Sequence, residues 1–260
     1  MSQSRSTALV TGASSGIGAA YADRLARRGH DLVLVARDAA RLQTLAARLR
    51  SETGAAVDIL PADLTKPADL AALEERLRQD GRIGLLVNNA GAVSPGGFAA
   101  EDLQPLYTLV DLNVTALTRL AGAAVQGFLA HGRGGAIVNL GSVVGFAPEL
   151  FAGVYGATKA YVLALSQAMN AELAGKNIYV QAVLPSGTKT EIWERSGRAT
   201  DDWMMDVDDL VDAALVGFDR REAVTIPPFE DAALFDTYET ARKALLSQFR
   251  ASKPATRYRT

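Results

Sequence analysis

Thr7-Ala8-Leu9-Val10-Thr11-Gly12-Ala13-Ser14-Ser15-Gly16-Ile17-Gly18 is the stretch that decides the fold. An apolar run, Thr7 to Val10, enters a turn with three glycines. Gly16 to Arg28 then sets Ile17, Ala20, Tyr21 and Leu25 at helical spacing, and Gly29 stops the helix. Strand, glycine turn, helix is the opening of a βαβ unit. Further apolar runs follow at Asp31 to Ala36, Ala55 to Leu60, Gly84 to Asn88, Ala136 to Gly141 and Ile178 to Leu184. Each is apolar on both faces, as in parallel strands covered on two sides. Between them Ala39 to Arg50 repeats Leu42, Leu45 and Leu49, and Ala68 to Gln79 repeats Leu70, Leu73 and Leu77. A long helix is expected within Asp102 to Leu129, and another over Tyr155 to Leu173. The pattern predicts an α/β fold. It is a Rossmann-like, doubly wound parallel sheet of about seven strands with helices on both faces, in a single domain over 1–260.

Composition narrows the chemistry. The chain has 260 residues, 48% hydrophobic, with 27 basic against 29 acidic side chains. That balance argues against an electrostatic nucleic-acid binder. No cysteine is present, which removes disulfides and thiolate chemistry. Two histidines, His30 and His131, make a multi-histidine metal centre improbable, so no metal is expected. Met1 to Thr7 is polar and no apolar run reaches spanning length, so the expectation is a soluble, cytoplasmic protein without membrane contact.

The glycine turn suits an anion. Glycines let backbone approach a ligand, and the free N–H groups of a helix start face it. The spacing, Gly-x3-Gly-x-Gly, is a variant of the usual dinucleotide fingerprint. A helix start capped by Ser14 or Ser15, with the glycines for packing, is the other reading of the same residues; the strand before and the helix after favour phosphate binding. The second strand ends Val35-Ala36-Arg37, without the carboxylate that grips a ribose 2′-hydroxyl. Arg37 can pair with a 2′-phosphate instead, which favours NADP, although it could also be a solvated strand-end charge. Tyr155 and Lys159 stand four apart at the start of a helix and so share a face. An ammonium there stabilises phenolate and lowers the tyrosine pKa. Ser142 follows the fifth strand at the edge where such sheets bind ligands. Asn113, an amide in an apolar helix, needs a partner.

Together, Thr11 to Gly18, Ala62-Asp63-Leu64, Asn88-Asn89-Ala90-Gly91, Asn113, Ser142, Tyr155 and Lys159 make the chain resemble the short-chain dehydrogenase/reductase family from residue 7 to about 190. Ser142 precedes Tyr155 by 13 residues, as that family requires. The resemblance implies that Tyr155 is the general acid or base, that Lys159 lowers its pKa and that Ser142 holds the substrate oxygen. It implies that Asn113 binds a relay water. Cofactor contacts would come from Thr11, Gly12, Ser14, Ser15, Gly16, Ile17, Gly18, Arg37, Asp63, Leu64, Asn89, Ala90, Gly91, Tyr155, Lys159, Pro185 and Thr188. The activity implied is NADPH-dependent interconversion of a carbonyl and a secondary alcohol. An acyl-chain ketoreductase, a hydroxysteroid-type dehydrogenase and a non-catalytic NADP-binding sensor are the alternatives.

The family places its substrate lid within 186–222. Trp193, Trp203 and Met204, with Val144, Phe146 and Phe151 from the earlier loop, would line an apolar pocket, or would staple the lid down. The family tail that packs across a tetramer interface is replaced here by Val224-Thr225-Ile226-Pro227-Pro228 and a helix, Glu230 to Phe249. A homodimer through the helices at Asp102 to Leu129 and Tyr155 to Leu173 is therefore expected, using Ala121, Gly122, Ala123, Ala160 and Ala164, with a tetramer as the other arrangement.

Overall fold

The computed structural model describes residues 5–93, 96–150, 153–195 and 199–259. Seven parallel strands lie in the order β3-β2-β1-β4-β5-β6-β7. They are β1 (Thr7–Thr11), β2 (Asp31–Ala36), β3 (Val57–Pro61), β4 (Ile83–Asn88), β5 (Gly135–Leu140), β6 (Ile178–Val183) and β7 (Val224–Thr225). The winding direction reverses between β1 and β4. Their carboxyl ends therefore flank a crevice, the usual ligand site of such sheets.

Alternation along each strand builds two cores. Ala8 and Val10 of β1 face a cluster with Tyr21, Ala22 and Leu25 of α1 (Gly16–Arg27), Leu42 and Leu49 of α2 (Ala39–Thr53), and Val211 and Leu215 of α8 (Val207–Asp219). Leu9 faces the opposite cluster. That side holds Leu70, Leu73 and Leu77 of α3 (Pro67–Gln79), Leu120 and Phe128 of α5 (Leu117–His131), and Met169 and Leu173 of α6 (Tyr155–Leu173). The leucine stripes read from the sequence are thus the core faces of the helices.

Two elements differ from expectation. The helix foreseen within Asp102 to Leu129 is α4 (Gln104–Val110), then a π-helical turn over Asp111–Ala116, then α5. The polar stretch after Pro185 contains a short helix, α7 (Glu191–Arg195), and a bridge between Thr188 and Met205. Ala121 and Ala123, expected at a dimer face, are buried against the sheet, whereas Gly122 and Ala164 are exposed.

The chain divides into two compact units, Met1–Pro227 and Pro228–Thr260. The doubly wound fold is complete within the first. The second carries α9 (Ala232–Ala244), capped by the Asp231 carboxylate accepting from Ala233 N at 2.8 Å, and a 3-10 turn at Leu245–Gln248. No side chain of α9 is buried. Among the described residues no helix is long and apolar enough to cross a membrane.

A buried polar ladder ties the middle of the sheet to α6. Asn88 Nδ2 donates to Asn139 Oδ1 at 3.1 Å, and Asn139 Nδ2 donates to Ser166 Oγ at 3.0 Å. All three are buried. Replacing Asn139 by Ala leaves the Asn88 amide with only the longer bond to the Leu117 carbonyl, at 3.3 Å, and takes away the donor to Ser166. The expected cost is about 2 kcal/mol, which lowers Tm by about 4–8 °C. Thermal unfolding checks this, and a shift under about 1 °C would remove the ladder from the account of stability.

Candidate active site

Three polar side chains meet where β5 and β6 end and α6 begins. Ser142 follows β5 after Gly141, and Tyr155 opens α6 with Lys159 one turn on. The Tyr155 phenol is hydrogen-bonded to Ser142. Ser142 Oγ also donates to the Pro185 carbonyl at 3.2 Å and accepts from Val144 N at 3.4 Å. Lys159 is buried. Its Nζ donates to the Leu140 carbonyl at 2.9 Å and stands 5.8 Å from the centre of the Tyr155 ring. The chain brings these groups together because Ser142 caps a 3-10 turn, Val143–Gly145, whose glycine lies against the backbone of Lys159 and Ala160 in α6.

Burial dominates the electrostatics. It pushes the Tyr155 phenol up to about 12, with the Ser142 hydrogen bond pulling the other way. It pushes Lys159 down to about 8, because an ammonium loses hydration there. For the phenol, burial raises the pKa and the Ser142 hydrogen bond is what lowers it, while the Lys159 charge is held only below about pH 8.

Asn113 sits in the π turn and is buried. Its Oδ1 accepts from Ala92 N at 3.0 Å, and its Nδ2 donates to Ala92 O at 3.1 Å and to Thr158 Oγ1 at 3.2 Å. Thr158 Oγ1 in turn donates to the Tyr155 carbonyl at 2.7 Å. The partner that an amide in an apolar helix demanded is thus the backbone after β4, joined to the helix of Tyr155. The extra residue of a π turn offsets the helix locally, a device that recurs at functional sites. Ala92 and Thr158 escaped the sequence reading. Thr158 lies inside Tyr155-Gly-Ala-Thr-Lys159, and its spacing alone gave no sign of a bond to Asn113.

The glycine turn forms a cradle. Gly12 and Gly16 have φ of 66° and 54°, where a side chain is strained. A Cβ on Gly18 would run into the Gly12 carbonyl. Ser15 occupies the N-cap of α1 without a side-chain cap bond, and the first turn of α1 holds no acid. The capped-helix reading is therefore not realised, and the helix start is left for an outside anion. Ile17 packs partly into the core. Thr11 and Asn89 brace the loop from behind. Thr11 Oγ1 accepts from Asn89 N and Ala90 N, each at 3.0 Å, and Asn89 Nδ2 donates to the Thr11 carbonyl at 2.9 Å. A Cβ on Gly91 would stand 3.2 Å from Asn113 Oδ1 and 3.7 Å from Lys159 Nζ, so Gly91 joins the cradle to the acid–base group.

At the far end Arg37 is exposed, with no carboxylate in ion-pair reach among the described residues. Asp63 accepts from Thr65 N and Oγ1 at 3.1 and 2.7 Å; these bonds and the Arg37 charge lower its pKa. Leu64 is buried beside it. Thr188, also buried, is fixed by its hydroxyl donating to Ser186 O at 3.1 Å.

The lid side chains divide. Trp193 donates its indole N–H to Thr188 O at 2.7 Å, and Met204 is buried. Trp203 lies over Gly187, bonds Asp201 Oδ2 at 2.9 Å and remains 64% exposed. Phe146 packs with Leu163 and Leu184, Val144 is buried, and Phe151 lies outside the described residues.

The model of the short chain dehydrogenase family matches residues 6–201. The chain belongs to that family. It is an NAD(P)-dependent oxidoreductase acting on CH–OH groups. A short-chain dehydrogenase from Sphingobium yanoikuyae, solved in complex with NADPH, is 61% identical, with a TM-score of 0.94 over 97% of this chain and 100% of that one. The bulky-bulky ketone specific alcohol dehydrogenase from Comamonas testosteroni is 53% identical, with a TM-score of 0.91 over 99% and 100%. An uncharacterised oxidoreductase of Staphylococcus saprophyticus is 30% identical over 84% of this chain and 93% of its own.

The site of this dehydrogenase makes a direct prediction. Arg37→Ala lowers the preference for NADPH over NADH by about tenfold or more, the worth of one charged hydrogen bond. Affinities for the two nucleotides, measured side by side, check it; an unchanged ratio removes Arg37 from the site.

Proposed function

We propose that this dehydrogenase reduces bulky, rather apolar ketones to secondary alcohols with NADPH, and that Tyr155 delivers the proton. The observation that carries the reading is the Tyr155 phenol bonded to Ser142 above the buried Lys159 ammonium. The likeness to the Comamonas enzyme supports the substrate class. The likeness to the Sphingobium complex and the bare strand end at Ala36-Arg37 support the cofactor.

NADPH fits the residues present, because the start of α1 carries no side-chain cap bond and no acid, which leaves its first N–H groups to a pyrophosphate. Bound there, it supplies the hydride. The chain's own groups do the rest. Ser142 and Tyr155 turn their hydroxyls to the carbonyl oxygen, and the phenol gives up its proton as negative charge develops on that oxygen. A phenol held near 12 is fully protonated at neutral pH, as an acid must be before it acts. Lys159, charged below about pH 8, stabilises the phenolate left behind. Asn113 fixes Ala92 and, through Thr158, the first turn of α6, which holds the phenol in line. The same reading includes a cytoplasmic homodimer, supported by Tyr107, Leu129 and Tyr161 exposed on α4, α5 and α6.

Tyr155→Phe tests the reading. Turnover of a diaryl or long-chain ketone falls by about three or more powers of ten while NADPH still binds, as expected for loss of a group that acts in the transition state. Unchanged turnover would refute the proton role and favour a nucleotide sensor. The pH dependence gives a second test. Because the ammonium form of Lys159 assists, kcat/KM for reduction is level below about pH 8 and declines above it. Lys159→Arg, which stays charged, moves that decline upward. A profile without a break between about pH 7 and 9 would contradict it.

A further inference from the structure

A second cavity lies at the opposite end of the sheet. It is an open cleft of about 430 Å³ at the amino ends of β1, β4 and β5, roughly 17–20 Å, one strand length, from the catalytic edge. Its walls carry Arg5, Arg82, Arg133, Arg221 and His131. The volume falls in the ordinary range for small-molecule sites.

The pairing of arginines marks this place. Across the first unit, Arg24, Arg27, Arg28, Arg41, Arg48, Arg76, Arg78, Arg82, Arg119 and Arg220 each have a carboxylate in ion-pair reach. Among the arginines of that unit whose side chains are described, those without one are Arg5, Arg37, Arg50, Arg133 and Arg221. Arg37 stands at the expected 2′-phosphate position. Arg50 is spent on the Val57 carbonyl. The remaining three surround one cavity.

Their geometry leaves a gap for a ligand. Arg5 reaches the Gly54 carbonyl with one nitrogen only, at 3.1 Å, and Arg221 lies over the Tyr179 ring at 4.8 Å. Arg133 has no hydrogen bond from its guanidinium among the described residues. A Cβ on Gly81 would meet the His131 ring at 3.0 Å and Arg133 Nη2 at 3.1 Å, so the imidazole and the guanidinium converge above a residue that has no side chain. Arg82 adds charge although Asp80 holds it bidentately, at 2.9 and 2.7 Å. Uncompensated positive charge in a concave site, on a chain of net charge −2, concentrates anions.

We infer that this cavity binds a small phosphorylated metabolite, its phosphate held by Arg133 and His131 and its remaining charge by Arg5 and Arg221. The site is separate from the cofactor crevice and independent of the reaction proposed above. The test is calorimetric titration of inorganic pyrophosphate into the enzyme saturated with NADP⁺, in phosphate-free buffer, so that the crevice is already filled. A single saturable event with Kd below about 1 mM is expected. It should weaken as salt rises. Arg133→Ala and the double variant Arg5→Ala/Arg133→Ala should each weaken it by about tenfold or more and leave ketone turnover at the wild-type level. Arg133→Gln, which keeps most of the side chain, should weaken it comparably. Absence of saturable binding up to about 10 mM, or equal Kd in wild type and all three variants, would overturn the assignment.

Discussion

The chemistry of this dehydrogenase turns on one desolvated cation. Lys159 is taken out of water between β5 and α6, with the backbone carbonyl of Leu140 as acceptor for its ammonium. That arrangement is costly for a charge, and the cost appears as a pKa drawn down toward neutrality. The same lack of water gives the charge long reach, so its effect on the phenol above it is not screened away. Everything around it maintains this condition. Gly91 keeps the space open on one side, Asn113 and Thr158 fix the backbone on the other, and the two cores hold β5 and α6 in contact.

Much of this was legible in the residues. The six apolar runs marked β1 to β6 to within two residues, because buried strands are built mostly of apolar side chains even where Asp58, Asn139 and Gln181 interrupt β3, β5 and β6. The leucine stripes named the core faces of α2 and α3, since burial repeats at the helical period. Tyr155, Lys159 and Ser142 converge as their spacing implied, because that spacing is short and local to the start of one helix and the end of one strand.

What stayed hidden depends on contacts distant in the chain. The bond between Asn113 and Ala92 spans 21 residues, and it forms only because the helix departs from regular winding at that point. No propensity marks such a departure. The tryptophans of the lid were visible as an anomaly, but each has a local hydrogen bond that composition does not report. Sequence spacing reveals the charge next to the phenol and conceals the depth of burial, which is what raises the phenol.

The π turn has a consequence for how this helix can vary. Such a turn contains one residue more than regular winding would need. Shortening the segment Asp111–Ala116 by one position would let α4 and α5 fuse into a continuous rod, and no loop would have to absorb the change. The flanking turns would keep their faces, because the bulge already absorbs the extra residue; what would be lost is the hold of the Asn113 amide on Ala92. The irregular winding is thus a reversible insertion, held in place by what its amide touches.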